Sequence, residues 1–99
     1  MIRHIVFWKL NGDTPERKRA QAADIKRALE ALNGRIPGLR RLEVGIDFSN
    51  TEESADVALY SELESREALD AYQKHPEHVA VLPLVKAARR ERRVVDYEV

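Results

Sequence analysis

No cysteine occurs among these 99 residues, which excludes disulfides and thiolate chemistry and is compatible with a reducing compartment. There is no surplus of either charge. Seventeen Lys and Arg side chains cancel seventeen Asp and Glu, which removes the broad positive field of a nonspecific nucleic-acid binder. No apolar run approaches the roughly 18 residues of a membrane span. Met1 to Leu10 alternate and carry charge where a signal peptide needs an apolar block. No membrane partner and no nucleic-acid partner are expected, and the cytoplasm is the default location. The four glycines are scattered and form no phosphate-binding loop, and no serine stands in a nucleophile-elbow context. Nothing at the level of residues supports haem or flavin, so no cofactor is expected.

What is present fits one domain over residues 1–99, with a hydrophobic fraction of 43% and 34% charged residues excluding a disordered chain. Met1 to Leu10 reads as a strand with apolar groups on both alternations: Ile2, Val6 and Trp8 with His4 on one face, Ile5 and Phe7 on the other. Thr14 as N-cap and Pro15 at the first helical position predict a helix that runs towards Asn33 and stops at Gly34. Ala22, Ile25, Leu29 and Leu32 form its apolar stripe, opposite Arg17, Lys18, Asp24 and Lys26. Leu42, Val44, Ile46 and Phe48 alternate with polar residues in a second strand, and a polar loop leads to a third from Asp56 to Leu63. Ser65 predicts the cap of a second helix, broken at His75-Pro76. Short helical turns interrupted at Pro83 should follow, then a closing strand from Val94 to Val99. The basic cluster Arg89, Arg90, Arg92 and Arg93 reads as a solvated rim or as intersubunit salt links.

Strand, helix, strand, strand, helix, strand is the order of the α+β ferredoxin-like βαββαβ arrangement, a four-stranded antiparallel sheet with its helices on one side. One helical layer covers one sheet face only. A second face carrying residues such as Ile5, Phe7, Leu59 and Val95 exceeds the apolar patch that soluble monomers tolerate. Its simplest cover is a second copy of the chain packed sheet to sheet as a C2 homodimer with a barrel-like core.

The protonatable side chains concentrate in Tyr72-Gln-Lys-His-Pro-Glu-His-Val79. Pro76 ends the incoming helix near His75 and can open another turn, so Tyr72 and His78 can both face inward as a candidate acid/base pair. Three readings are open. As an enzyme the site uses His78 as general base and Tyr72 as hydrogen-bond donor to an enolate oxygen, without a cofactor. As a binding module it orients a small, largely apolar or carbonyl-containing ligand in a pocket with Trp8, Leu29 and Val57. As an interaction protein the dimer itself is the functional object. His4, His75 and His78, with Glu77 or Asp96, contain metal-ligand types, but the spacing lacks helical i, i+4 geometry and no metal is expected.

Met1-Ile-Arg-His-Ile-Val-Phe-Trp-Lys-Leu10, Ile36-Pro-Gly-Leu39, Glu43-Val-Gly45, Tyr60, Ser65, Tyr72, His75-Pro-Glu-His-Val79 and Val95-Asp-Tyr97 together resemble the stress-responsive A/B barrel (Dabb) family over nearly the whole chain. The resemblance implies a homodimeric α+β barrel with a pocket between helices and sheet in each subunit, drawing His4 and His75 into the candidate pocket. It also implies a link to plant polyketide cyclases of the family, in which a tyrosine and a histidine act as an acid/base pair. Tyr72 and His78 match those positions and His4 a first-strand histidine. Val57 and Leu29 stand where that subgroup carries a histidine and a tyrosine.

Overall fold

The computed structural model describes residues 1–99 as β1 (Ile2–Leu10), α1 (Pro15–Glu30), β2 (Leu39–Ile46), β3 (Val57–Leu63), α2 (Arg66–Lys74), α3 (Pro76–Val79), α4 (Leu82–Ala88) and β4 (Arg89–Glu98). The strands form one antiparallel sheet in the order β2-β3-β1-β4, with the two central strands β3 and β1 paired from Ile2 opposite Leu63 to Trp8 opposite Val57. This is the ferredoxin-like topology. No helix is long and apolar enough to cross a membrane.

The helix starts follow from local chemistry. Thr14 accepts from the Arg17 N–H at 3.1 Å and Ser65 from the Ala68 N–H at 3.0 Å, each satisfying a donor that the first helical turn leaves free. Three expected boundaries are corrected. Pro83 does not interrupt a helix; it lies in the opening turn of α4, where its missing N–H removes no intrahelical bond. β4 begins at Arg89, not Val94, because it pairs with β1 along the whole of that strand, and its run of charge suits a sheet edge. β2 ends at Ile46, so Phe48 leaves the alternation and stands 95% exposed at the mouth of the β2–β3 hairpin.

Inward alternation from β1, β2 and β3 meets the stripe of α1 and the inner sides of α2 and α4 to form a core of 18 buried apolar residues. Ile25, Leu63 and Tyr72 are fully enclosed in it. Burying each large apolar side chain contributes roughly 1.5–3 kcal/mol, which makes this layer the main source of stability. The outer edge of β2 is held by polar groups from α1 and the turn after it. The Glu30 carboxylate accepts from the Val44 N–H at 3.0 Å, Lys26 donates to the Val44 carbonyl at 2.6 Å, and the Asn33 amide bonds both the N–H and the carbonyl of Leu42. Lys26 is therefore an edge clamp and not a solvated charge. Its ammonium, together with the Val44 N–H, holds the Glu30 carboxyl below the usual range.

Leu59 is the other correction. It pairs with Val6, is 2% exposed and faces the helices, so it takes no part in the outer sheet face. That face is built from Ile5, Phe7, Ala58, Tyr60, Val95 and Tyr97, in register across β3, β1 and β4. No helix lies over it, and Phe7, Val95 and Tyr97 keep more than a third of their surface in solvent.

Two glycines with positive φ close the connection between α1 and β2, and they differ in what surrounds them. Gly34 (φ +78°) has open space where a side chain would go, whereas a Cβ on Gly38 (φ +83°) would meet the Ala68 Cβ at 2.7 Å. Gly34→Ala is expected to cost about 1–2 kcal/mol from backbone strain alone, and Gly38→Ala about 1–3 kcal/mol more because α2 must shift. Urea denaturation of the two variants checks the difference; equal losses would mean that α2 does not lie against Gly38.

Candidate functional site

Residue 75 precedes a proline and so leaves the helical region: His75 has φ −64° and ψ 135° and serves as the C-cap of α2 and the N-cap of α3 at once. Its N–H bonds the Tyr72 carbonyl at 3.2 Å, and its Nδ1 accepts from the Glu77 N–H at 3.1 Å. His75 is thus a junction residue. The turn it makes brings His78 back over Tyr72, with ring centroids 4.5 Å apart and planes tilted by 45°. His4 of β1 also approaches Tyr72, edge-on, at 6.2 Å and 65°.

The two imidazoles are held in the same tautomer. His78 Nδ1 lies 3.1 Å from the Gln73 carbonyl, which can only accept, so Nδ1 carries the proton and Nε2 keeps its lone pair. His4 Nδ1 bonds the carboxylate of Asp96, its register partner on β4, with the same consequence. Desolvation, with a smaller repulsion from Arg92, lowers the His78 pKa below its ordinary value of 6.5 against the opposing pull of the Gln73 bond, so the ring is neutral at pH 7. Burial pushes the Tyr72 phenol well above its ordinary 10, which keeps it a proton donor. Its hydroxyl is enclosed and has no hydrogen-bond partner, and neither has the indole N–H of Trp8.

A cavity of about 70 Å³ opens beside this cluster. His4, Val6 and Trp8 of β1 and Leu59 of β3 form its floor; Leu29 of α1, Gln73, His78 and Val85 its sides; Lys86, Arg89 and Arg92 also belong to its wall. Of the residues singled out in the sequence, His4, Trp8, Leu29 and His78 come together here. Val57 does not: it is 1% exposed in the core opposite Trp8, and the cavity meets Leu59 from that strand instead. His75 also lies outside the wall, its ring nitrogen committed to the α3 cap. Tyr72 backs onto His78 without lining the cavity. No three His, Asp or Glu side chains are grouped so as to hold a metal ion. A larger surface groove of about 570 Å³ lies between the start of α1 and the β2–β3 hairpin, but its charged groups include the Lys18–Asp56 pair and it contains no histidine or tyrosine.

Arg92 escapes the sequence reading because a strand that begins only at Val94 leaves it outside the alternation. Continued backwards, its alternation puts Arg92, Val94 and Asp96 on the face that carries His4 and Trp8.

The arrangement can take a proton at His78 Nε2 and offer one from Tyr72, provided that a ligand reaches past the histidine. Among known proteins, the model of the Stress responsive A/B Barrel Domain matches residues 2–99. An uncharacterised protein of Streptomyces coelicolor is 34% identical over 84 residues, 85% of this chain and 86% of that one. A dimeric protein of unknown function with a ferredoxin-like fold from Bacteroides fragilis has a TM-score of 0.88 at 38% identity, covering 99% of this chain and 95% of its own. A dimeric ferredoxin-like protein of unknown function from Thermobifida fusca follows at 0.83 and 29%, covering 99% and 90%.

A buried hydroxyl without a partner lowers stability, and removing it forfeits no bond. Tyr72→Phe is therefore expected to leave the melting temperature unchanged or to raise it, by up to about 1–2 kcal/mol of stability. A clear fall in thermal unfolding would show that the hydroxyl is bonded.

Proposed function

We propose, for a chain that belongs to the stress responsive A/B barrel domain family, that it works as a small homodimer of single domains over residues 1–99, each binding a small, largely apolar molecule in the cavity between sheet and helices. The observation that carries the binding reading is the conjunction of that cavity with a buried donor on its wall, the Trp8 N–H, that no group of the chain satisfies. Natural folds bond nearly all such groups, and a ligand oxygen in the cavity would complete this one. Apolar side chains from β1, α1 and α4 supply the remaining wall, as in most small-molecule sites.

The second reading, cofactor-independent acid/base catalysis, is favoured by one feature: His78 is neutral with a free Nε2 while Tyr72 remains protonated. In that reading His78 abstracts a proton next to a carbonyl and Tyr72 donates a hydrogen bond to the enolate oxygen. The base is active above the His78 pKa and loses activity as acid protonates it; because that pKa is depressed, the loss falls below pH 6.5.

The homodimer rests on the outer sheet face and on the dimeric solved structures, which share the fold at 38% and 29% identity. A charge at its centre should disrupt the contact, since burying it unpaired costs several kcal/mol. Phe7→Asp and Val95→Asp are each expected to give monomer or insoluble protein in sedimentation velocity, and an unchanged dimer in both would remove the sheet-face interface. A thermal-shift panel of neutral ketones, phenols and thioesters tests the cavity. A stabilising compound whose effect disappears in His78→Ala supports the reading. A hit that binds the variant equally well places the ligand elsewhere.

A further inference from the structure

The cavity is bordered by charge of one sign. Its wall contains Lys86, Arg89 and Arg92 and no Asp or Glu. None of these three cations has a carboxylate within salt-bridge distance, whereas Lys26, Arg27, Arg40, Arg66 and Lys74 are all ion-paired within the same electrically neutral chain. Strand alternation divides the basic cluster of β4. Arg92 lies opposite Trp8 on the helix-facing side, while Arg93 lies opposite Phe7 on the outer face. The cluster is therefore not one surface stripe that tracks a polyanion; part of it belongs to the cavity. Arg92 is also near enough to His78 for its charge to act on that ring.

The neutral polar groups point the same way. At the wall, the Trp8 N–H is an enclosed donor without an acceptor, and Gln73 is a further neutral polar residue. Donors and cations without a carboxylate among them define a site that wants an acceptor-rich anion. A space of about 70 Å³ is roughly two waters at their liquid volume, which limits the enclosed part of the ligand to the end of a short chain or the edge of one ring.

We propose that the ligand is a small organic carboxylate, its apolar body against Trp8, Leu29 and Val85 and its carboxylate held by Arg89 and Arg92 with Lys86. This rests on the small-molecule reading of the same cavity and adds the charge and size of what it takes. Arg supplies paired donors that match a carboxylate, so removing them affects acids more than neutral molecules.

The test is isothermal titration of the full chain with benzoate and hexanoate against their uncharged isosteres benzamide and hexanamide. Both acids should bind at least tenfold more tightly than the amides, and the advantage should shrink as salt rises. Arg89→Gln combined with Arg92→Gln should lower acid affinity tenfold or more and amide affinity by much less; Arg90→Gln, which is exposed and outside the cavity wall, should behave as wild type. Amides that bind wild-type protein as tightly as the acids overturn the carboxylate assignment while leaving the cavity as a neutral site. Failure of both series to bind overturns the assignment together with the small-molecule reading. The acid–amide comparison needs no variant, so a misfolded double substitution does not shield the proposal.

Discussion

The site depends on one backbone constraint, the exclusion of residue 75 from helical geometry by Pro76. In an unbroken helix, His78 would lie six residues beyond Tyr72, turned about 120° away from it around the axis. The break at ψ 135° changes that. It starts a new short helix, lets His75 cap it, and sets the His78 ring against Tyr72 with Nδ1 tied back to Gln73. Without the break there would be no paired rings, and the cavity beside them would lose His78 from its wall.

A second constraint comes from the sheet. Register puts His4 opposite Asp96 and Trp8 opposite Arg92, so the central strand and the edge strand together build the floor and the charged part of the wall. The same register sends Ile5, Phe7 and Val95 to the other side, where one helical layer cannot reach. Ligand site and apolar sheet face thus lie back to back on the same two strands. A substitution that slips the pairing of β1 and β4 by one residue would exchange their faces and damage both.

Much of this was legible in the sequence where chemistry acts locally. Thr14, Ser65 and Pro76 mark their helix ends because caps and proline geometry depend on a few neighbours, and the alternation of β1 marks both of its faces. Long-range choices were less legible. The facing of Leu59 is one of them, because apolar residues on both alternations of β3 leave it ambiguous until register is known. The start of β4 at Arg89 was hidden by charge, since an edge strand needs no apolar pattern. That error concealed Arg92, and with it the charge of the cavity. Val57 and Leu59 share a face of β3, so which of them borders the cavity is settled by the packing of α4, which no local pattern encodes.

The most direct test of the account is a long-range proton–nitrogen NMR spectrum of the three histidines followed with pH, which reads the protonated ring nitrogen of each. The hydrogen bonds require the Nδ1–H tautomer for His4 and His78 and the Nε2–H tautomer for His75, whose Nδ1 accepts from Glu77, and the burial of His78 puts its midpoint below 6.5. Finding His78 protonated at Nε2, or titrating above 6.5, would contradict it: the nitrogen facing a ligand would then be a donor or a cation, and the base at the centre of the site would not exist.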